Sequence, residues 1–178
     1  MTDHTPTRIR TADLTGNRRR SFDLVPDAAA RDALAKDLGL IALPMLRFTG
    51  ELRPSGRSDV VLSARLTGQA DQACIVTLAP VPCTLDEQVT RSYISDWSEP
   101  EGEEIEMPED DSREPMPEIV DLTEVMAEAL ALALPDYPRA PGAELGQAVF
   151  AAPGTAPLGD DDIKPFAGLA ALKDKLKN

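Results

Sequence analysis

Two runs of neighbouring carboxylates are the residues of this sequence whose types and spacing best suit chemistry. They are Asp110-Asp111 and Asp160-Asp161-Asp162. Carboxylate oxygens are the ligands that Mg²⁺ and Ca²⁺ prefer, and such a cluster with a bound divalent ion is the machinery of a metal-dependent nuclease. Both runs, however, lie in proline-containing stretches, and neither has the spacing of an EF-hand loop. The sequence therefore predicts no specific metal site.

The side chains needed for nucleophilic catalysis are also missing from suitable positions. The single histidine, His4, lies in a polar leader where no core can hold it as a general base. Two thiols, Cys74 and Cys83, cannot form a zinc knuckle or a secreted disulfide framework, so we expect reduced, partly buried cysteines in or near a strand. No glycine-rich phosphate loop is present. We expect a protein that is not an enzyme and has no cofactor.

The charge distribution restricts the kind of partner. Residues 1–65 carry 11 Lys and Arg against 8 Asp and Glu, a balance of +3, whereas residues 66–178 carry 7 against 23, a balance of −16. This majority of negative charge repels phosphate backbones, and the aromatic residues do not interleave with basic ones as in single-strand binders. A basic protein is the favoured partner, and direct contact with nucleic acid is disfavoured.

Targeting signals are not visible in the sequence. The longest apolar stretch, residues 125–134, is far shorter than the roughly 20 residues that cross a bilayer and contains Glu128. The arginines of residues 1–20 are not followed by the apolar region of a secretory signal. We expect a cytoplasmic protein without membrane contact.

Composition and patterning divide the chain into four parts. Residues 1–20, with Arg18-Arg19-Arg20, are predicted to be a flexible leader, and residues 21–142 a single domain. Within this domain, residues 99–117 are predicted to be a flexible acidic loop, because nine acidic residues lie between Glu99 and Glu114. Residues 143–164 have the composition of a linker, and 165–178 of a short amphipathic helix.

Hydrophobic periodicity predicts the elements of the domain. The alanine-rich stretch 26–38 is expected to be a helix with Pro26 at its first position, Gly39 after its end, and Ala30, Leu34 and Leu38 on its apolar side. From residue 43 to 95 the period changes to two, which predicts strands. Gly68 is expected at a bulge or bend, ACIVTL at 73–78 as a strand ended by Pro80 and Pro82, and 87–95 as a further strand.

The stretch IVDLTEVMAEALALALPDYPRAPG, residues 119–142, predicts a capped helix followed by an exposed turn. Asp121 and Glu124 have the spacing of a capping box, apolar residues recur at helical spacing to Leu134, and Pro135 ends the helix. We expect the turn to bind a partner through the following residues: Pro135, Asp136, Tyr137, Pro138, Arg139, Pro141 and Gly142. The predicted fold is α+β, an antiparallel sheet or partial barrel of about four to six strands flanked by two helices.

These motifs resemble the YceD family of large ribosomal RNA subunit accumulation proteins, in the form typical of alphaproteobacteria. The resemblance rests on QACIVTLAPV, an acidic insertion, the helix with its prolines, and the closing PFAGLAALKDKLKN. By this resemblance, the family signature includes Cys74, Asp121, Leu122, Leu132 and Leu134 together with Pro135 and Pro138. This chain departs from it twice: many members have an arginine where Val76 stands, and relatives tend to read LDPYPR in place of LPDYPR.

The resemblance implies a role in the accumulation of large-subunit (23S) ribosomal RNA in bacteria. Combined with the charge, this predicts a non-enzymatic accessory factor of ribosome biogenesis that binds a basic large-subunit ribosomal protein or a pre-50S assembly complex. Two alternatives remain open. One is a divalent-metal-dependent rRNA-processing nuclease with Asp160, Asp161 and Asp162 as ligands; the other is an acidic regulatory protein whose 99–114 segment occupies a basic site.

Overall fold

The computed structural model describes residues 7–14, 18–98, 112–144 and 146. The chain divides into two units, Met1–Pro141 and Gly142–Asn178. Every helix and strand described below belongs to the first unit. They are, in chain order, β1 (Arg8–Arg10), a 3₁₀ turn (Thr11–Leu14), β2 (Arg20–Leu24), α1 (Ala28–Asp37), β3 (Ala42–Ser55), β4 (Asp59–Ala73), β5 (Pro80–Ile94), β6 (Arg113–Pro115), β7 (Ile119–Asp121) and α2 (Leu122–Ala133).

Five strands form one sheet in the order β2-β3-β4-β5-β6, and β1 pairs with β7 in a second, two-stranded sheet. All pairs are antiparallel except β5 and β6, which run parallel. The long hairpins β3-β4 and β4-β5 make up most of the larger sheet, and β4-β5 keeps one register from Val60–Tyr93 to Ala73–Pro80. The predicted α+β class is confirmed, with one strand pair that is parallel rather than antiparallel.

One face of the larger sheet carries the core, because apolar residues alternate along its strands as predicted. Leu46, Phe48 and Leu52 of β3 are buried, and so are their neighbours on β4, Leu62 and Leu66. The buried side of α2 joins the same cluster through the following residues: Leu122, Val125, Met126, Ala129 and Leu130. This face therefore fixes the position of α2 on the sheet.

The first helix differs in detail from its prediction. It begins at Ala28 rather than Pro26, because the Asp27 carboxylate accepts a hydrogen bond from Ala30 N (2.8 Å) and so caps it. Leu34 and Leu38 of the predicted apolar side pack against the core as expected, whereas Ala30 is exposed and Ala35 is buried instead. The helix ends at Asp37, and Gly39 follows its end as predicted, with a left-handed φ of 65°.

The predicted strand at 73–78 is wrong. Ala73 is the last residue of β4, and the chain then makes a tight turn in which Leu78 has a φ of 60°. Pro80 and Pro82 begin β5 rather than end a strand. Gly68 lies inside the regular part of β4, and the only register shift between β3 and β4 falls between Ala42 and Met45. The β-branched residues after Cys74 have a local propensity for strands, and this propensity is the reason for the wrong prediction. Hydrogen bonds hold the stretch in a turn instead.

The predicted flexible leader and the predicted acidic loop both contain residues that belong to strands. Within the leader, β1 pairs with β7, and Ile9 and Leu14 are buried in the core. Within 99–117, β6 occupies Arg113–Pro115. Residues 99–111 of the acidic loop, all of 147–178 with the predicted C-terminal helix, and most of the predicted linker lie outside the described residues.

Candidate functional site

The segment after α2 is fastened to the end of the sheet by three hydrogen bonds. The Gln72 side-chain amide donates to Pro135 O (3.1 Å), Ile75 N donates to Pro138 O (3.0 Å), and Ala140 N donates to Cys74 Sγ (3.4 Å). Pro138 is buried within this contact. The predicted binding turn is therefore held in a fixed position rather than attached only through the helix.

Cys74 is the first residue of the turn to which this segment is hydrogen-bonded. Its buried Sγ accepts hydrogen bonds from Val76 N and Thr77 N (both 3.5 Å) besides the one from Ala140 N. Its own N donates to Ala79 O (2.8 Å), and its O accepts from Leu78 N (2.9 Å), which closes the turn. We call residues 74–79 the cysteine turn. The thiol sulfur thus organises backbone from two segments that are far apart in the sequence.

These donors favour the ionised form of the thiol. The N–H of Ala140, followed by the hydrogen bonds from Thr77, lowers the pKa of Cys74 from 9.0 to about 6, against the opposing effect of desolvation. Cys83 lies in β5 and is half-buried, and both cysteines are free thiols. The sequence predicts reduced cysteines but not that Cys74 Sγ accepts hydrogen bonds. The donor with the greatest effect on its pKa, Ala140 N, is 66 residues away.

Large apolar side chains remain exposed around the fastened segment. Leu78 is 75% exposed, Tyr137 is 78% exposed, and Ile75 is also exposed. Ile75 N donates to the carbonyl oxygen of Pro138, the residue after Tyr137, and Leu78 N donates to that of Cys74, the residue before Ile75, so hydrogen bonds link the backbone around these three residues. We call Ile75, Leu78 and Tyr137 the clasp surface. An anchored backbone with exposed aromatic and aliphatic side chains is suited to binding a protein, because the backbone loses little conformational entropy when the partner binds.

The other residues of the predicted turn are placed as follows. Asp136 and Arg139 are exposed beside Tyr137, and Pro135 and Pro141 are exposed as well. Gly142 has a left-handed φ of 71° and is the first residue of the second unit. The prediction that the turn is exposed is therefore met by six of its seven residues, whereas Pro138 is part of the anchor.

The family-signature residues divide between structure and surface. Asp121 caps α2 by accepting hydrogen bonds from Thr123 N (3.0 Å) and Glu124 N (3.4 Å), and Leu122 is fully buried. Leu134 is half-buried at the end of the helix, where its N donates to Leu130 O. Leu132, by contrast, is 85% exposed. Helical periodicity alone does not separate Leu132 from its buried neighbours, because every residue from 129 to 134 is apolar.

Leu132 faces a second feature that the sequence did not predict, a groove of about 470 Å³ between β5, β6 and α2. Consecutive residues 87–91 of β5 line it on one side, and Ala129, Leu132 and Ala133 on the other. Arg91 at its base is paired with Glu114 (3.2 Å) and Glu128 (2.5 Å). We call this feature the edge groove. Three separate elements, β5, β6 and α2, form the edge groove together, so no local sequence pattern predicts it.

Among the described residues, neither a group of metal-ligating side chains nor a membrane-spanning helix is found. Within residues 7–14, 18–98, 112–144 and 146, no three His, Cys, Asp or Glu residues are grouped to hold a metal ion. The runs Asp110-Asp111 and Asp160-Asp161-Asp162 lie outside those residues. None of the described helices is long and apolar enough to cross a membrane.

The fold and the site define an α+β protein in which a cysteine turn at one end of the sheet anchors the segment after α2. The model of the family described as large ribosomal RNA subunit accumulation protein YceD matches residues 62–173, a range that includes the cysteine turn, the edge groove and the anchored segment. This chain belongs to that family. The predicted membership of the YceD family is confirmed, and the family's name connects the chain with the large ribosomal subunit. No curated protein and no solved structure matches it.

Proposed function

We propose that this protein is a non-enzymatic accessory factor that supports the accumulation of large-subunit ribosomal RNA in the cytoplasm by binding a basic large-subunit ribosomal protein or an assembly complex that contains one. The observation that carries this proposal is the clasp surface. Its backbone is fixed by the hydrogen bonds to Gln72, Ile75 and Cys74, while the side chains of Tyr137 (78%) and Leu78 (75%) are largely exposed.

The energetics favour a protein partner at this surface. Tyrosine supplies a large contact area at low cost in conformational entropy, and tyrosine and arginine are the residues most often found where a few side chains carry the binding energy. Tyr137 and Arg139 are both exposed on the anchored segment. The ordering of the backbone is already complete before the partner arrives, so less of the contact energy is lost.

The charge favours a basic partner over RNA. The chain has a net charge of −13, and its acidic residues are concentrated after residue 65. Such a field attracts a basic protein and raises its association rate, whereas it repels phosphate. The proposed role therefore operates on rRNA through a ribosomal protein, and direct contact with rRNA is the disfavoured route.

The test is retention of proteins extracted from purified large ribosomal subunits on the immobilised full-length chain. We expect wild type to retain one or more basic large-subunit proteins, identified by mass spectrometry, and Tyr137→Ala with Arg139→Ala to lose at least about tenfold in affinity. Val25→Ala is the matched control, because Val25 is also an exposed apolar residue but lies between β2 and α1. Retention of large-subunit rRNA instead, with steep salt dependence and no ribosomal protein, would contradict the proposal.

A further inference from the structure

Within the part of the chain that the structure describes, the outer edge of β5 is unpaired over most of its length. β6 pairs only with Ser92–Ile94, whereas β5 begins at Pro80 and is bonded to β4 along its whole inner edge. In a regular strand, successive residues direct their backbone N–H and C=O groups to opposite edges. Ser92 N donates to Ser112 O (2.7 Å) and Ile94 O accepts from Met116 N (2.9 Å), so the even-numbered residues of β5 point to the outer edge.

Asp86, Gln88 and Thr90 share this direction, because the register of β4-β5 has no shift between residues 80 and 93. Among the described residues, none is hydrogen-bonded to the backbone N–H or C=O of these three. Pro80 and Pro82 have the same parity, so the N–H groups that they lack also belong to the outer edge, where a proline is tolerated. The prolines close the beginning of this edge, and no described residue pairs with the row from Asp86 to Thr90.

The edge groove lies directly along this open row. Five consecutive residues, Glu87–Arg91, line the groove. Successive side chains of a strand point to opposite faces of the sheet, so a surface that all five line lies at the edge of the strand. Across the groove, α2 presents Ala129, Ala133 and the exposed Leu132. An added strand would thus find hydrogen-bonding groups on one side and an apolar wall on the other.

Charge indicates the chemistry of the strand that fits. Glu87 and Glu114 line the groove and Glu128 reaches its Arg91, so three carboxylates face one guanidinium. The sequence that joins β5 to β6, residues 95–112, holds nine acidic residues and no basic one. A second copy of this acidic edge would be repelled, whereas lysine or arginine side chains would be attracted.

We propose that the open edge of β5 between Asp86 and Thr90, beside the wall formed by α2, binds an extended basic segment of a protein partner as an additional strand, with its apolar side chains against Leu132. This inference rests on the proposed function, since it names the part of the ribosomal protein that is recognised. Main-chain hydrogen bonds supply affinity in this mode, and alternate side chains supply specificity. The clasp surface and the edge groove are then two separate contacts.

The key variant is Gln88→Pro, which removes one outward N–H and places a ring where the added strand would lie. The ladder to β4 is kept, because Gln88 does not point to β4. Gln88→Thr is the matched control, since it changes the side chain but keeps the N–H. Circular dichroism and thermal unfolding establish that both variants fold. Against proteins extracted from large ribosomal subunits, we expect about tenfold weaker binding for Gln88→Pro and unchanged binding for Gln88→Thr.

Hydrogen exchange on the wild type provides a readout that needs no variant. In the free protein, the amides of Asp86, Gln88 and Thr90 should exchange much faster than those of Val89 and Arg91, which point to β4. A peptide that alternates lysine and valine should slow exchange at the three outward amides by at least about tenfold, and a glutamate–valine peptide should not. Protection of these amides already in the free protein would show a covered edge and overturn the inference.

The outcomes separate this inference from the proposed function. Equal retention of ribosomal proteins by wild type and Gln88→Pro overturns the edge inference and leaves the proposed function standing. If wild type retains no ribosomal protein, the proposed function is overturned. In that case, slower amide exchange in the presence of the lysine–valine peptide tests separately whether the edge of β5 binds a basic strand. The same protection produced by a large-subunit rRNA fragment, or by self-association, would assign the edge to another occupant and contradict the inference.

Discussion

Replacement of Asp121 by alanine should destabilise the fold by removing the cap of α2. The Asp121 carboxylate accepts hydrogen bonds from Thr123 N and Glu124 N, and one of its oxygens lies 3.4 Å from Arg8 Nε. Loss of such a cap costs about 1 kcal/mol, with a range of about 0.5–2. Loss of the pair with the mostly exposed Arg8 adds no more than about 0.5 kcal/mol.

The expected loss of unfolding free energy for Asp121→Ala is therefore about 1.5 kcal/mol, which corresponds to a melting temperature lower by roughly 4–5 °C. Asp121→Asn is the matched control, because asparagine caps helices as well as aspartate but carries no charge for Arg8. For this variant we expect a loss below about 0.5 kcal/mol. The pair of variants thus separates the hydrogen-bonding role of the residue from its charge.

Urea unfolding followed by far-ultraviolet circular dichroism measures both variants, with the slope of free energy against urea compared to show that the same surface is exposed. The reasoning is refuted if Asp121→Asn is destabilised as strongly as Asp121→Ala, since the charge would then outweigh the cap. It is also refuted if Asp121→Ala unfolds at the wild-type urea concentration. Either result would remove the structural explanation for this family-signature residue and favour a direct role in binding.

Two further predictions concern the cysteine turn and the two leucines of α2. The pKa of Cys74 is lowered from 9.0 to about 6 in the folded chain, so its ionised form stabilises the fold fully above about pH 9, and this contribution is lost as pH falls to about 6. The difference in unfolding free energy between wild type and Cys74→Ser should accordingly shrink from pH 9 to pH 6 and stay level below; a constant difference in urea titrations would contradict this. Leu130→Ala should cost about 2–5 kcal/mol because Leu130 is fully buried, whereas Leu132→Ala, at an 85% exposed position, should change stability by less than about 0.5 kcal/mol. Similar losses for both leucines in urea unfolding would mean that the edge groove is closed.

The features that were predictable from the sequence are those set by local pattern. Asp121 and Glu124 mark the start of α2 because capping depends on residues within one turn. The hairpin of β3 and β4 follows from strict alternation around Leu46, Phe48, Leu62 and Leu66, which leaves only one face to bury. In both cases the sequence neighbours are also the spatial neighbours.

The features that were missed depend on contacts between distant residues. The stretch after Cys74 has the composition of a strand, yet hydrogen bonds from Ala140 and to Pro138 accompany a turn. The strands β1, β6 and β7 have three residues each, too few for any periodicity to be visible. The edge groove combines β5, β6 and α2, so its existence follows only from the assembled sheet.

The parallel pairing of β5 and β6 also bears on how this protein can change during evolution. Ile94 ends β5 beside Pro115, and Ser92 lies beside Arg113, so the chain leaves and re-enters the sheet at nearly the same place. For a connection with adjacent ends, doubling its length costs only about 0.6 kcal/mol of closure entropy. Changes in the length and acidic content of the sequence between residues 98 and 112 should therefore cost little free energy of folding. Selection can adjust the strength of the electric field beside the sheet edge without altering the architecture that presents it.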